Sequence, residues 1–138
     1  MPIVLEHRPR PIHPFHAVLL AGIIPLFLGV LLNDLAYASS HEVQWKNFAS
    51  WLLVGGLVFS GLALIWAIVG LFQADRRGAI YFAALLAVWV LGFLNALIHA
   101  KDAWASMPEA LILSVIVAVF AIVATALGFS TLRAGELK

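Results

Sequence analysis

The sequence predicts an all-α integral membrane protein, a four-helix bundle with both termini in the cytoplasm. Of its 138 residues 64% are hydrophobic and only 11% are charged, whereas soluble domains are about half apolar and a quarter charged. The mean hydropathy is correspondingly high, at +1.04. Four apolar stretches are each long enough for a helix to cross a hydrocarbon core of about 30 Å. We place the spans at about 15–37, 49–73, 79–99 and 109–130.

Proline, glycine and charged residues mark the ends of these spans. Pro14 and Pro108 fit the first helical turn, where a missing N–H costs nothing. The run from Asp75 to Gly78, which reads Asp-Arg-Arg-Gly, predicts a tight turn, so the second and third spans should form an antiparallel hairpin. The resulting division is a Pro/Arg/His-rich cytoplasmic segment at 1–14, the four-helix domain at 15–130 and a short cytoplasmic tail at 131–138.

The distribution of Lys and Arg predicts the orientation. With four crossings, Lys46 and Lys101 fall on one side, and six basic residues share the other: Arg8, Arg10, Arg76, Arg77, Arg133 and Lys138. Because basic residues concentrate in the cytoplasm, both termini should lie there. We therefore expect a multi-pass protein of the bacterial inner membrane, with 38–48 and 100–108 in the periplasm.

Stripes of small residues predict how the helices pack. Membrane helices associate closely where small side chains let their backbones approach. The second span carries Gly56, Ser60, Ala63 and Ala67 at spacings of three and four, and the fourth carries Ser114, Ala118 and Ala121. The first offers Gly22, Pro25, Gly29 and Asn33. These stripes predict a tight bundle, with the large apolar residues facing lipid.

A few polar residues are candidates for a ligand or proton site. Asp34 is the one charged residue well inside a span, and its position near a helix end favours a carboxylate that reaches the wet interface over one with a proton or ligand role. Asn95 and His99 share a face of the third span, and Asp102 would extend that face if the helix continued. These four residues suit binding of a quinone head group or relay of a proton at the outer mouth of the bundle. The alternative is structural, with Asn95 bridging helices and His99 at the interface.

Other chemistries find less support. The chain has no cysteine, which removes thiolate metal sites and thiol catalysis. It also lacks nucleophile and zinc-protease motifs, so we predict neither a catalytic residue nor a metal site. Haem is less favoured than quinone, because His13 and His16 are expected a bilayer thickness away from His41 and His99.

The chain resembles the bacterial membrane proteins of domain-of-unknown-function family twenty-two thirty-one. The resemblance runs from His13 to about Gly128 and depends on three motifs: His-Pro-x-His opening the first span, Asp-x-Ala-Tyr ending it, and His-x-basic-Asp-Ala-Trp before the fourth. Residues matching these motifs are His13, Pro14, His16, Asp34, Tyr37, His99, Lys101, Asp102 and Trp104. Two departures are Ala21-Gly22-Ile23, where Pro-Phe-Pro is frequent in the family, and Lys101, where arginine is common.

The resemblance implies a redox-linked membrane subunit, since some members are fused to Rieske-type iron–sulfur domains or encoded near respiratory and periplasmic dehydrogenase components. We therefore expect a non-catalytic inner-membrane subunit that anchors a membrane or periplasmic redox protein and binds quinone. Two alternatives remain open: a b-type haem electron-transfer protein, and a purely structural oligomer or assembly component. The partners expected are lipid and a larger redox protein or further copies of the chain. A nucleic acid is not expected, because the few charges form no basic face.

Overall fold

The computed structural model describes residues 13–71 and 76–134. These residues form four long helices, and a short 3₁₀ helix at Ala103–Ser106 precedes the last of them. The long helices are α1 (Pro14–Ser40), α2 (Val43–Leu71), α3 (Arg76–His99) and α4 (Glu109–Ala134). Each is long and apolar enough to cross a membrane. The predicted fold class, an all-α membrane four-helix bundle, is confirmed.

The helices form a ring in which each packs against two others. Both α1 and α3 contact α2 and α4, so α1 and α3 face each other across the diagonal. Consecutive helices run antiparallel. We call the end where α1 and α3 finish and α2 and α4 begin the Asp34 end, and the opposite end the His16 end.

The helices at the Asp34 end are longer than the apolar blocks. Helix α1 begins at Pro14, but it continues past Tyr37 until His41 adopts a left-handed conformation (φ 61°) and donates its N–H to the Tyr37 carbonyl at 2.8 Å. Helix α2 begins at Val43 rather than near Ala49. The difference has a simple cause, since a helix satisfies its own backbone hydrogen bonds and needs no apolar side chains to continue into the interface.

Two predictions about helix ends differ from the structure, although α4 begins at Glu109 as predicted. Pro108 lies just before α4, where its carbonyl accepts the Ile112 N–H at 3.1 Å, and the Met107–Pro108 peptide is cis. Helix α3 begins at Arg76, so Gly78 is helical. One glycine costs about 1 kcal/mol in a helix, which the packing of a long helix outweighs.

Several sequence predictions concern residues that the structure leaves undescribed. Arg8, Arg10, Asp75 and Lys138 lie outside the described ranges. Of the predicted tail at 131–138, the part through Ala134 belongs to α4.

The small-residue stripes of α2 and α4 are buried, but α1 contributes large residues to the core. Gly56, Ser60 and Ala63 are buried on α2, with Ala67 half-buried. On α4 the buried small residues include Ala110, Ser114, Ala118 and Ala121. Opposite them α1 buries Leu20, Ile23, Phe27 and Val30.

The prediction that large apolar residues face lipid is therefore wrong for α1, and it is also wrong for Leu53 of α2 and Leu85 of α3, which are buried. Of the small-residue stripe predicted for α1, Pro25 is exposed, whereas Gly22 and Gly29 leave room for Phe59 and Leu52 of α2. The space left by small residues on two helices must be filled, because interiors pack without voids. A Cβ on Gly56 would lie 2.9 Å from the Phe27 ring, so the glycine leaves room for the phenylalanine.

Candidate functional site

Four polar side chains form one hydrogen-bonded network at the Asp34 end. His99 Nε2 lies 2.9 Å from Asp34 Oδ1, and the Ser114 hydroxyl donates to Asp34 Oδ2 at 2.5 Å. Asn95 Nδ2 in turn donates to Ser114 Oγ at 2.8 Å. His99 Nδ1 lies 3.0 Å from the main-chain carbonyl oxygen of Asn95. The ring therefore closes on itself and joins α1, α3 and α4. We call it the Asp34 network.

The hydrogen-bond partners determine how many protons the network holds. The Asn95 carbonyl can only accept, so His99 Nδ1 must carry a hydrogen. One further proton then lies between His99 Nε2 and Asp34 Oδ1, either on the imidazole of an ion pair or on the carboxyl group of a neutral pair. In both forms the pair has no net charge and holds one transferable proton.

Asp34 is fully buried, with 0% of its surface exposed, and His99 is 5% exposed. The expectation of a carboxylate reaching the wet interface is thus wrong. Buried ionisable groups in membranes are tolerated when they pair with each other and their remaining positions are satisfied. Both carboxylate oxygens have partners here. One buried acceptor of the network, Asn95 Oδ1, has none among the described residues.

Lys46 clamps the end of α3 beside this network. Its ammonium donates to the carbonyls of His99 at 2.9 Å and Lys101 at 2.8 Å. A cation at a helix C-terminus satisfies carbonyls that have no helical partner and opposes the negative end of the helix dipole. Lys46 therefore fixes the residue that holds Asp34, from the first turn of α2.

A groove opens between α2 and α3 next to His99. It encloses about 210 Å³ and is lined by Ser50, Leu53, Val54, Ala96, His99 and Ala100. We call it the His99 groove. Most of its wall is apolar. Both His99 ring nitrogens are engaged, so the Ser50 hydroxyl is the polar side-chain group of the lining that remains able to bind a ligand.

Asp102 is not part of the network. Helix α3 ends at His99, so the predicted face does not extend to Asp102, which is exposed and precedes the 3₁₀ helix. The Lys101 side chain is exposed too, and only its carbonyl contributes, as a partner of Lys46.

The motif residues Tyr37 and Trp104 form an aromatic cluster with His41 at this end. Trp104 stacks on His41 with ring centroids 4.6 Å apart and meets Tyr37 edge-on at 5.7 Å. Tyr37 is buried, whereas Trp104 is 48% exposed. An exposed indole such as that of Trp104 is typical of residues at the level of the lipid head groups.

The motif at the start of α1 forms a second polar contact at the His16 end. His16 is buried, its Nε2 lies 3.1 Å from the Tyr81 hydroxyl, and its ring stacks on Trp66. His13 is exposed and packs against the same indole, with centroids 4.9 Å apart. Pro14 starts the helix that carries both imidazoles.

The structure gives no grouping typical of a metal centre. Across residues 13–71 and 76–134, no three His, Asp or Glu side chains come together to hold an ion. His99 could bind haem iron only by giving up its contact with Asp34 or with Asn95, because a ligating nitrogen needs a free lone pair.

Sequence reasoning assigned Ser114 to packing alone and did not assign Lys46 or Tyr81 to a site. The position of Ser114 in a run of small residues does indicate a candidate site residue, since a hydroxyl there can both pack closely and hydrogen-bond across helices. Lys46 and Tyr81 have no such local signal. Their partners are 53 and 65 residues away in sequence.

Comparison with known proteins gives one match. The model of the family described as Predicted membrane protein (DUF2231) matches residues 12–133. No curated protein and no solved structure matches the chain significantly. The match covers α1, α2, α3, all of α4 except its last residue, and every residue of the Asp34 network. The chain therefore belongs to the DUF2231 family of predicted membrane proteins, domain-of-unknown-function family twenty-two thirty-one.

Proposed function

We propose that this chain is a non-catalytic subunit of the bacterial inner membrane that anchors a redox protein and holds a quinone head group in the His99 groove. One observation carries the proposal: a pair that holds one proton, Asp34 and His99, is buried beside a groove with mostly apolar walls. Polar groups of this kind within a membrane are retained for ligand or proton binding by default.

The groove residues fit a quinone. Leu53, Val54 and Ala96 offer apolar contact to a ring and its tail, while a ring carbonyl needs a hydrogen-bond donor. Ser50 can supply one by turning its hydroxyl hydrogen away from the Lys46 carbonyl of its own helix, to which it donates at 3.0 Å. Lys46 does not line the groove, but it donates to the His99 carbonyl and keeps a third N–H for a second ring carbonyl. A bound quinone would carry electrons and protons between membrane enzymes.

The chain's own residues would position the ligand and hold a proton, which is why we assign no catalytic role. His99 forms a wall of the groove, and Asp34 fixes the imidazole from behind. Electron transfer would belong to a partner in the membrane or periplasm. In the orientation that the basic residues favour, the Asp34 end faces the periplasm.

Quinone content tests the site. The protein is purified in native lipid, and quinone per mole of protein is measured by extraction and chromatography. Ala100→Phe fills the rim of the groove and should lower the content, whereas Ala83→Phe, at an exposed position of α3 outside the groove, should leave it unchanged. Unchanged content in both Ala100→Phe and His99→Ala would contradict quinone binding.

The anchor role has a separate test. Mild-detergent purification followed by identification of co-purifying proteins should recover a redox protein in stoichiometric amount. Recovery of the chain alone or only with copies of itself would contradict the anchor. A reduced-minus-oxidised spectrum with haem bands would replace quinone by haem as the cofactor.

A further inference from the structure

A second cleft lies between α3 and α4 at the His16 end, far from the His99 groove. Arg77 and Ile80 line it from α3, and Leu127 and Ser130 line it from α4. It encloses about 150 Å³. We call it the Arg77 cleft. It combines a guanidinium and a hydroxyl with two aliphatic side chains, so it offers polar and apolar contact together.

The depth of the cleft follows from two contacts between α1 and α3. His16 meets Tyr81 at one end and Asp34 meets His99 at the other, and the sequence offset is 65 residues in both pairs. The two contacts are thus 18 residues apart along each helix, or about 27 Å at 1.5 Å per residue. That is close to the hydrocarbon thickness of about 30 Å. Arg77 lies one turn beyond Tyr81, in the first turn of α3, and basic side chains near the end of a membrane helix extend to the head-group level.

The charges of the cleft favour an anion. Arg77 is exposed, and no acidic side chain pairs with it in residues 13–71 and 76–134. A guanidinium matches phosphate with two parallel N–H bonds. The Ser130 hydroxyl now donates to the Leu127 carbonyl at 2.9 Å, and its oxygen can turn this hydrogen toward a ligand instead.

The apolar lining favours a lipid over a free anion. Ile80 is 49% exposed, and Leu127 is half-buried beside it. Both extend from Arg77 toward the hydrocarbon side. We propose that the Arg77 cleft binds one anionic phospholipid, with its phosphate on Arg77 and Ser130 and an acyl chain along Ile80 and Leu127. This site is independent of the quinone proposal and uses none of its residues.

Lipid retention tests the site with a matched pair of arginines. The full chain is exchanged into nanodiscs that contain phosphatidylcholine with a minor fraction of phosphatidylglycerol, and then into detergent, and the bound lipid is counted by native mass spectrometry. Arg77→Gln should lower the retained phosphatidylglycerol about tenfold, because it removes charge-assisted hydrogen bonds to the phosphate, and a hydrogen bond to a charged group contributes about 1.5 kcal/mol. Arg76→Gln removes the same charge from a residue outside the lining and should change retention little.

Two further arms identify the ligand. Ile80→Trp keeps the charge but fills the cleft, so it should also lower retention. Inorganic phosphate at millimolar concentration should not displace the lipid. Equal loss in Arg76→Gln and Arg77→Gln would overturn the proposal in favour of diffuse charge attraction, and displacement by inorganic phosphate would overturn the lipid assignment.

Discussion

His99 Nε2 lies 2.9 Å from Asp34 Oδ1, a contact that joins the diagonal helices α3 and α1 inside the bundle. Ser114 holds the second carboxylate oxygen and Asn95 holds the second imidazole nitrogen. Ser114 of α4 therefore orients the Asp34 carboxylate, and the main-chain carbonyl of Asn95, one turn earlier in α3, orients the His99 ring. Breaking the contact should have consequences that depend on what replaces each group.

Asp34→Asn should keep most of the stability, whereas Asp34→Ala should not. An asparagine can donate Nδ2–H to His99 Nε2 and accept from Ser114, so every partner stays satisfied while the transferable proton is lost. Alanine leaves two buried groups unpaired, which costs about 2–5 kcal/mol. The free energy of unfolding, measured by denaturant titration in micelles, distinguishes the variants. Equal losses would show that charge and not hydrogen bonding stabilises the site.

Ser114→Ala should destabilise the bundle more than Ser60→Ala. Both serines are buried, but Ser114 links Asn95 to Asp34, whereas the Ser60 hydroxyl bonds only carbonyls of its own helix. Removing an interhelical hydroxyl that leaves buried partners unpaired costs about 1–3 kcal/mol. The same unfolding titration measures both variants. A larger loss in Ser60→Ala would contradict the network.

Lys46→Met should loosen the end of α3. The methionine keeps the length of the side chain but cannot donate to the His99 and Lys101 carbonyls. We expect faster amide exchange at Ala100 and Lys101, whose N–H groups close the last turn, measured by hydrogen–deuterium exchange and mass spectrometry. Lys101→Met is the control, because the Lys101 side chain is exposed and takes no part in the clamp. Unchanged exchange in Lys46→Met would rule out the clamp.

Gly56→Ala should destabilise the bundle, and Phe27→Leu should relieve part of that loss. The new Cβ would lie 2.9 Å from the Phe27 ring, and overpacking of this kind costs about 1–3 kcal/mol. The double variant removes the clash at the expense of ring contacts. A double-mutant cycle on the free energy of unfolding measures the coupling. Additive losses would mean that the two residues do not compete for space.

The sequence predicted the helices well because apolar length decides which segments cross a membrane. It also predicted that Asn95 and His99 share a face with Asp34 nearby, because helical spacing and depth are both legible in the chain. The burial of Asp34 was not predictable in the same way. Whether a residue near a helix end faces lipid, water or the bundle depends on how the helix is rotated about its axis.

That rotation is set by packing between distant residues. Phe27 turns one face of α1 inward by filling the space beside Gly56 and Gly92, and the same face carries Asp34 and Tyr37. The packing of Phe27 thus places the Asp34 carboxylate on the buried face of α1. Asp102 shows the converse, since the local end of α3 at His99 removed it from a face that spacing alone had assigned.

The two ties between α1 and α3 have a consequence for the surrounding bilayer. His16 and Tyr81 meet at one end, and Asp34 and His99 meet at the other. Helices α1 and α3 therefore cannot slide relative to each other without breaking a buried polar contact. The bundle therefore has a fixed hydrophobic length. A thinner bilayer is accommodated by tilting all four helices together and a thicker one by local thinning of the lipid, so membrane thickness changes the inclination of the whole subunit and not its internal register.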